Sequence, residues 1–175
     1  DITEERRAQE RLRVLANTDS ITGLPNRNAI HNLISNAIEN AGDTQVGIVY
    51  LDLDNFKKVN DAYGHMFGDQ LLQSVSLAIL SCLSENQLLA RFGGDEFAVI
   101  MSGTPAESAI TAMLRVHEGL NTLRLPNTPQ VTLRISVGVA PLNPQMSHYR
   151  EWLKSADLAL YKAKKAGRNR TEVAA

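Results

Sequence analysis

The sequence is short of cysteine. Cys82 stands alone among 175 residues, so no disulfide can form within the chain and a reducing compartment suits it. Set in an apolar stretch, it reads as a small buried hydrophobe. No apolar run approaches the length of a membrane span, and the N-terminus lacks the pattern of a signal peptide. Excess charge is missing too. The formal net charge is −1 and the pI is near 6.5, which argues against a general nucleic-acid or membrane-surface binder. Neither GxxxxGKS/T nor GxGxxG occurs, so a P-loop and a dinucleotide fingerprint are both excluded. Internal repeats, low-complexity tracts and interior linkers are absent as well. What remains is one domain, with 43% hydrophobic residues to fill a single core. The chain opens on Asp1 rather than methionine, as a piece of a longer protein would.

What is present is an alternation of helix and strand patterns. Glu4 to about Ala16 is a highly charged helix whose apolar positions Ala8, Leu12 and Leu15 form a narrow stripe, a helix that needs a partner. TDSITGLPNRN breaks it with Gly23 and Pro25, after which Ala29, Ile30, Leu33, Ile34, Ala37, Ile38 and Ala41 recur at helical spacing. Val46 to Leu51 is a near-continuous apolar run, as in a central strand covered on both faces. A helix is expected from about Phe67 to Leu83. Leu88–Phe92 and Phe97–Met101 then flank Gly93 and Gly94, a two-residue loop that predicts a hairpin with a type I′ turn. Thr104, Pro105 and Glu107 form a capping box that opens a helix to about Leu123. Val131 to Ala140 alternates as a strand, and Tyr149 to Ala166 is a helix stopped by Gly167. The order predicts an α/β fold, an α+β sandwich with a mixed central sheet that contains the Gly-Gly hairpin and is surrounded by helices.

Chemistry is concentrated in the acids. Asp95 and Glu96 begin the second hairpin strand, where Asp is disfavoured and two adjacent acids cannot share a face. The central strand ends YLDLDNF, which places Asp52 and Asp54 two apart on one side of an extended segment. If the hairpin pairs beside this strand, three or four carboxylates converge. Then either some are protonated or cations sit between them, and an all-oxygen set favours a hard cation such as Mg²⁺. Taken singly, each acid could equally cap a strand end in solvent. FKKVNDAYGHMFGD follows as a polar loop with Lys57, Asn60, Asp61, His65 and Asp69, and the last helix ends YKAKKAGRNR, with Lys164 and Arg168 four apart on a shared face. Lys162 and Lys165 suit the negative end of a helix dipole. Together these segments point to a nucleoside triphosphate site.

The stretches DSITGLPNR, LDLDNFKKVNDAYGHMFGDQLL, RFGGDEF, ISVGVA and ADLALYKAKKAGRNR resemble, in order and spacing, the signature segments of GGDEF-domain diguanylate cyclases, over almost everything from Asp19 to Arg170. The resemblance implies a palm-like nucleotidyl-cyclase fold for residues 19–175 and a bacterial cytoplasmic location. Residues 1–18 are similar to the helix that joins a PAS-type sensor to such a domain. The implied reaction condenses two GTP to cyclic di-GMP and two pyrophosphates, in a head-to-head homodimer with one GTP per domain. By resemblance, Asp52, the Leu53 carbonyl, Asp95 and Glu96 would hold up to two Mg²⁺ or Mn²⁺ ions, and Asp95 would accept the proton of the attacking hydroxyl. Lys57, Lys164, Arg168 and the backbone amides near Asn55 and Phe56 would hold phosphates. Asn60 and Asp69 would read guanine, with His65 beside them. Asp54 and Asp61 match the family pattern and also suit a structural role.

One stretch departs from the pattern. Where many members carry RxxD, at which cyclic di-GMP binds and inhibits, this chain has Ser84 to Gln87, SENQ, so feedback through that site is not expected. An intact motif favours an active cyclase. The alternative is a silent GTP-binding module attached to an EAL phosphodiesterase domain.

Overall fold

A computed structural model describes residues 1–40, 46–103, 106–125, 131–142 and 148–175. Its centre is a strand that fits the apolar run: β1, Val46–Leu53, whose alternate residues enter two separate cores. Two further strands, β2 (Gln87–Gly93) and β3 (Glu96–Ser102), form the hairpin, and β4 (Ile135–Pro141) and β5 (Arg170–Val173) complete the sheet. The strand order is β2-β3-β1-β4-β5. β1 runs antiparallel to both β3 and β4, and β5 runs parallel to β4, which makes the sheet mixed as expected.

Among the described residues the helices are α1 (Ile2–Asn17), α2 (Arg27–Glu39), α3 (Phe56–Tyr63), α4 (His65–Cys82), α5 (Ala106–Thr122) and α6 (Tyr149–Lys165). One face of the sheet, Val49, Leu51, Phe97, Val99, Val137 and Val139, packs on α4 and α5 through Leu71, Val75, Met113 and Val116. The opposite face, Ile48, Ala98, Ile100 and Ala140, packs on Ile30 and Ile34 of α2 and Trp152 and Ala156 of α6. Burial of apolar side chains on both faces is the dominant favourable contribution to such a sandwich. α6 lies unusually close to the sheet, because a Cβ at Gly138 of β4 would stand 2.3 Å from the Leu160 nitrogen and 2.4 Å from the Ala156 oxygen.

Several expectations are corrected. The polar stretch after β1 is helical over α3, although none of its residues is fully buried. The strand expected from Val131 begins only at Ile135, because Leu53, the last residue of β1, lies opposite Ile135 and residues 131–134 have no strand to pair with. The hairpin loop is Gly94–Asp95 rather than Gly93–Gly94. Gly93 is paired with Glu96, and the register shifts between Arg91 and Gly93, so Phe92 is squeezed out of the ladder as in a bulge. Positive φ falls at Gly94 (52°) and not at Asp95, which excludes the type I′ turn. α6 ends at Lys165, and Arg168 (φ 64°) sits in a left-handed turn beyond it, so Lys164 and Arg168 do not share a helical face. Cys82 is half-buried rather than buried. Thr104 and Pro105 of the expected capping box lie outside the described residues; α5 itself spans Ala106–Thr122.

Candidate active site

The antiparallel register of β1 and β3 sets Asp52 directly opposite Glu96, so both side chains leave the same face of the sheet. Asp95 occupies the turn just before Glu96, and its carbonyl accepts from the Leu53 N–H at 3.1 Å. The strand end and the hairpin tip are thereby tied together by one backbone hydrogen bond, with Asp52, Leu53, Asp95 and Glu96 around it. Asp52 is only 7% exposed. Its Oδ2 pairs with the Lys164 ammonium of α6, and its Oδ1 is buried with no hydrogen-bond partner. Burial raises the Asp52 carboxyl, Lys164 counters it and Asp95 adds to it, with the net result about 6. Burial pulls Lys164 down, but Asp52 first and then Glu96 and Asp95 outweigh it and hold the ammonium above its ordinary value.

The acids do not all converge. Asp54 accepts from Ser136 Oγ at 2.7 Å and from the Asn169 backbone N–H at 3.0 Å, so it fastens the end of β1 to β4 and to the turn after α6. Among the described residues no group of three or more His, Cys, Asp or Glu side chains is poised to hold a metal ion. What fits a hard cation is narrower: the unsatisfied, buried Oδ1 of Asp52, with Asp95 and Glu96 beside it and a displaceable ammonium now supplying the positive charge.

A second cluster surrounds the junction of α3 and α4. Asn55 caps α3 in a left-handed conformation (φ 61°) without a side-chain capping bond; the Lys58 N–H donates to the Asn55 carbonyl at 3.0 Å, and the Phe56 and Lys57 N–H groups of the first turn have no intrahelical acceptor. Lys57 is exposed on the first turn of α3. Asn60 is half-buried, and its Oδ1 lacks a partner. It is pressed against Gly68, where an added Cβ would fall 1.8 Å from that oxygen. His65 and Asp69, both exposed, lie one turn apart at the start of α4. Arg168 is exposed in the turn after α6.

Two residues that sequence reasoning passed over hold the hairpin in place. Arg91, 8% exposed, donates from Nη1 to Asp19 Oδ1 at 2.8 Å and from Nε and Nη2 to the Gly94 carbonyl at 3.1 and 2.8 Å. Asp19 in turn accepts from the N–H and hydroxyl of Thr22 at 2.8 and 2.6 Å. The available signal was an arginine inside the apolar flank LLARF. The SENQ stretch closes on itself instead: the Ser84 N–H donates to Gln87 Oε1 at 2.9 Å.

This arrangement, a hairpin tip of Gly93 to Glu96 placed beside the acidic end of the central strand, is accompanied by a match of residues 16–170 to the family described as "Diguanylate cyclase, GGDEF domain". The chain belongs to the GGDEF domain family. Among its relatives, the probable diguanylate cyclase DgcC of Escherichia coli K12 is 63% identical over 169 residues, 95% of this chain and 46% of that protein. The cyclic di-GMP phosphodiesterase PdeR of the same strain is 60% identical over 171 residues, 96% of this chain and 25% of that protein. The GGDEF domain described here therefore spans less than half the length of these two relatives. Its fold matches the coiled coil and GGDEF domain of DgcB from Caulobacter crescentus, solved in complex with c-di-GMP, with a TM-score of 0.90 at 31% identity over 99% of this chain and 93% of that one.

Proposed function

We propose that this GGDEF domain is a diguanylate cyclase. In two successive displacements, the 3′-hydroxyl of one GTP forms a bond to the α-phosphorus of the other, the bond to the β-phosphate oxygen breaks, and pyrophosphate leaves. The observation that carries this reading is the Asp52, Asp95 and Glu96 cluster, with its buried unsatisfied oxygen and its resident ammonium. Asp52, the Leu53 carbonyl, Asp95 and Glu96 would hold Mg²⁺ or Mn²⁺, which when bound would neutralise phosphate charge and acidify the attacking hydroxyl. Asp95 accepts that proton. Lys164, Lys57, Arg168 and the open amides at the start of α3 hold the phosphates. Asn60 and Asp69 read guanine, because a carboxylate accepts from N1–H and the 2-amino group together, whereas adenine presents an acceptor at N1 and no 2-amino group. His65 borders that pocket.

One domain holds one GTP, so the reaction needs two copies face to face. α1 belongs to a linker that brings them together below a PAS-type sensor in the parent protein, with Leu12 and Leu15, 66% and 74% exposed, as its pairing stripe. We place the domain in the bacterial cytoplasm; none of the described helices is long and apolar enough to cross a membrane. A second reading, a silent GTP-binding module in a longer phosphodiesterase, is favoured by the 60% identity to PdeR. Incubation with GTP and Mg²⁺, followed by chromatography for cyclic di-GMP, separates the two. Product is expected, and Asp95→Asn should cut it by at least about 100-fold with the circular dichroism unchanged. GTP binding without product would support the second reading.

A further inference from the structure

The cleft on the α2/α6 side of the sheet has no part in the reading above, apart from Glu96 at its rim. It encloses about 370 Å³, lined by Arg27, Tyr50, Phe92, Glu96, Lys154 and Asp157 among others, within the range of roughly 300–1,000 Å³ common for small-molecule sites. One wall is a platform. Phe92, displaced from the β2 ladder by the register shift, lies under the Arg27 guanidinium at 4.9 Å and beside the Tyr50 ring at 5.4 Å. The other wall is α6, where Lys154 and Asp157 stand three residues apart and exposed on adjoining turns.

Two cations and two anions line this cleft, yet none of the four comes within 4.0 Å of an opposite charge among the described residues. The Tyr50 phenol has no hydrogen-bond partner among those residues either. The phenol is a hydroxyl donor and lines the same cleft as the Asp157 carboxylate. A hydroxyl donor next to a carboxylate acceptor complements one edge in particular: guanine O6 accepts, while N1–H and the 2-amino group donate. Adenine reverses the first contact and lacks both of the other donors.

We propose that this cleft is a second guanine-nucleotide site, distinct from the Asn60 and Asp69 pocket. The base lies against the Arg27–Phe92 platform with its edge on Tyr50 and Asp157, and Lys154 holds the phosphate. Glu96 borders the cleft and lies directly opposite Asp52 of the acidic cluster, so occupancy is sensed at the hairpin.

The test uses GMP as probe on the chain carrying Asn60→Ala and Asp69→Ala, with amide resonances followed by NMR. Saturable shifts are expected at Phe92, Leu153, Lys154 and Asp157, with GMP binding about tenfold or more tighter than AMP. Adding Asp157→Ala or, separately, Tyr50→Phe should weaken GMP by about tenfold or more. Both changes are mild for the fold, and overlapping circular dichroism spectra would verify it. The proposal is overturned by an absence of saturable shifts at those residues, by equal affinity for GMP and AMP, or by the same shifts from inorganic phosphate alone. Failure of the substrate-pocket reading looks different: GMP affinity at residues around Asn60 would be the same with and without the two alanines.

Discussion

Asn60 carries a buried acceptor that no donor meets. Its Oδ1 has no partner and faces Gly68, whose lack of a Cβ leaves it room, so the cost of an unmade hydrogen bond falls on this side chain. Asp69, next along α4, is exposed and has no such debt. In the proposed function the two differ accordingly, Asn60 as a fixed acceptor and Asp69 as the carboxylate that distinguishes the bases. Asp69→Ala should weaken GTP binding by roughly 1–3 kcal/mol and shrink the preference for GTP over ATP. Competition calorimetry in which both nucleotides keep their wild-type affinities would remove Asp69 from the pocket.

At the scale of elements, two contacts set where the chemistry sits. The first is the near-touching of α6 and β4 at Gly138, which positions Lys164 over Asp52. Gly138→Ala would drive a Cβ into the α6 backbone at Leu160 and Ala156. Backbone cannot step aside as a flexible side chain can, so a loss of about 1–3 kcal/mol or more is expected in urea unfolding; an unchanged midpoint would contradict the close approach. The second is the Asp19–Arg91–Gly94 link. Burial pushes the Asp19 carboxyl up, but bonds from Thr22 and then Arg91 outweigh it, and the net pKa is lowered. A carboxyl lowered on folding stabilises fully above its unfolded value, near 4, and that contribution is lost as the pH falls through the folded value. Asp19→Asn should therefore flatten the acid limb of the stability profile. At neutral pH it should cost on the order of 3 kcal/mol, since it leaves a buried guanidinium without its counter-ion. A wild-type acid limb in the variant would show that the pair contributes nothing.

The same elements show what could be read from the chain. β1 and the hairpin strands were legible because long apolar runs bounded by Gly and Asp admit few alternatives, and the opposition of Asp52 and Glu96 followed from pairing them. α3 was not legible, because it is only eight residues long and buries none of them fully, so its short apolar stripe of Phe56, Val59 and Tyr63 is lost among polar neighbours. β5 was missed for a related reason: Arg170–Val173 is four residues long, exposed or half-buried throughout, and finds its place beside β4 only because α6 delivers it there. The turn was misread by one residue because two consecutive glycines permit either register, and Phe92, drawn toward Arg27 and Tyr50, decided between them. The cluster at Asp19 and Arg91 depends on a contact 72 residues apart in sequence, which no local pattern encodes.

For the molecule as a whole, the proposed reaction has a kinetic signature. If each domain holds one GTP, catalysis requires an encounter, and at low concentration the rate should rise with roughly the square of enzyme concentration until dimers saturate. Removal of residues 1–18 should move that rise to higher concentration and leave GTP affinity alone. Specific activity that stays flat over about a hundredfold dilution, where light scattering reports monomer, would refute the two-copy mechanism.

α1 has no buried residue, yet its last turn is bound firmly. Asn26 and Asn28 both donate to the Ala16 carbonyl, at 2.9 and 3.2 Å, the Asn26 N–H donates to Asn17 at 3.0 Å, and Thr18 bridges to Pro25. Such a helix bears none of the load of the core, so its length and surface can change without unsettling the rest of the domain. In the proposed function, a rotation applied to it would act as on a drive shaft with a keyed end and enter beside Pro25, whose carbonyl holds the Arg91 N–H at 2.9 Å. A torque delivered there would reach the hairpin tip through Arg91 and its bonds to the Gly94 carbonyl, without first passing through the hydrophobic interior.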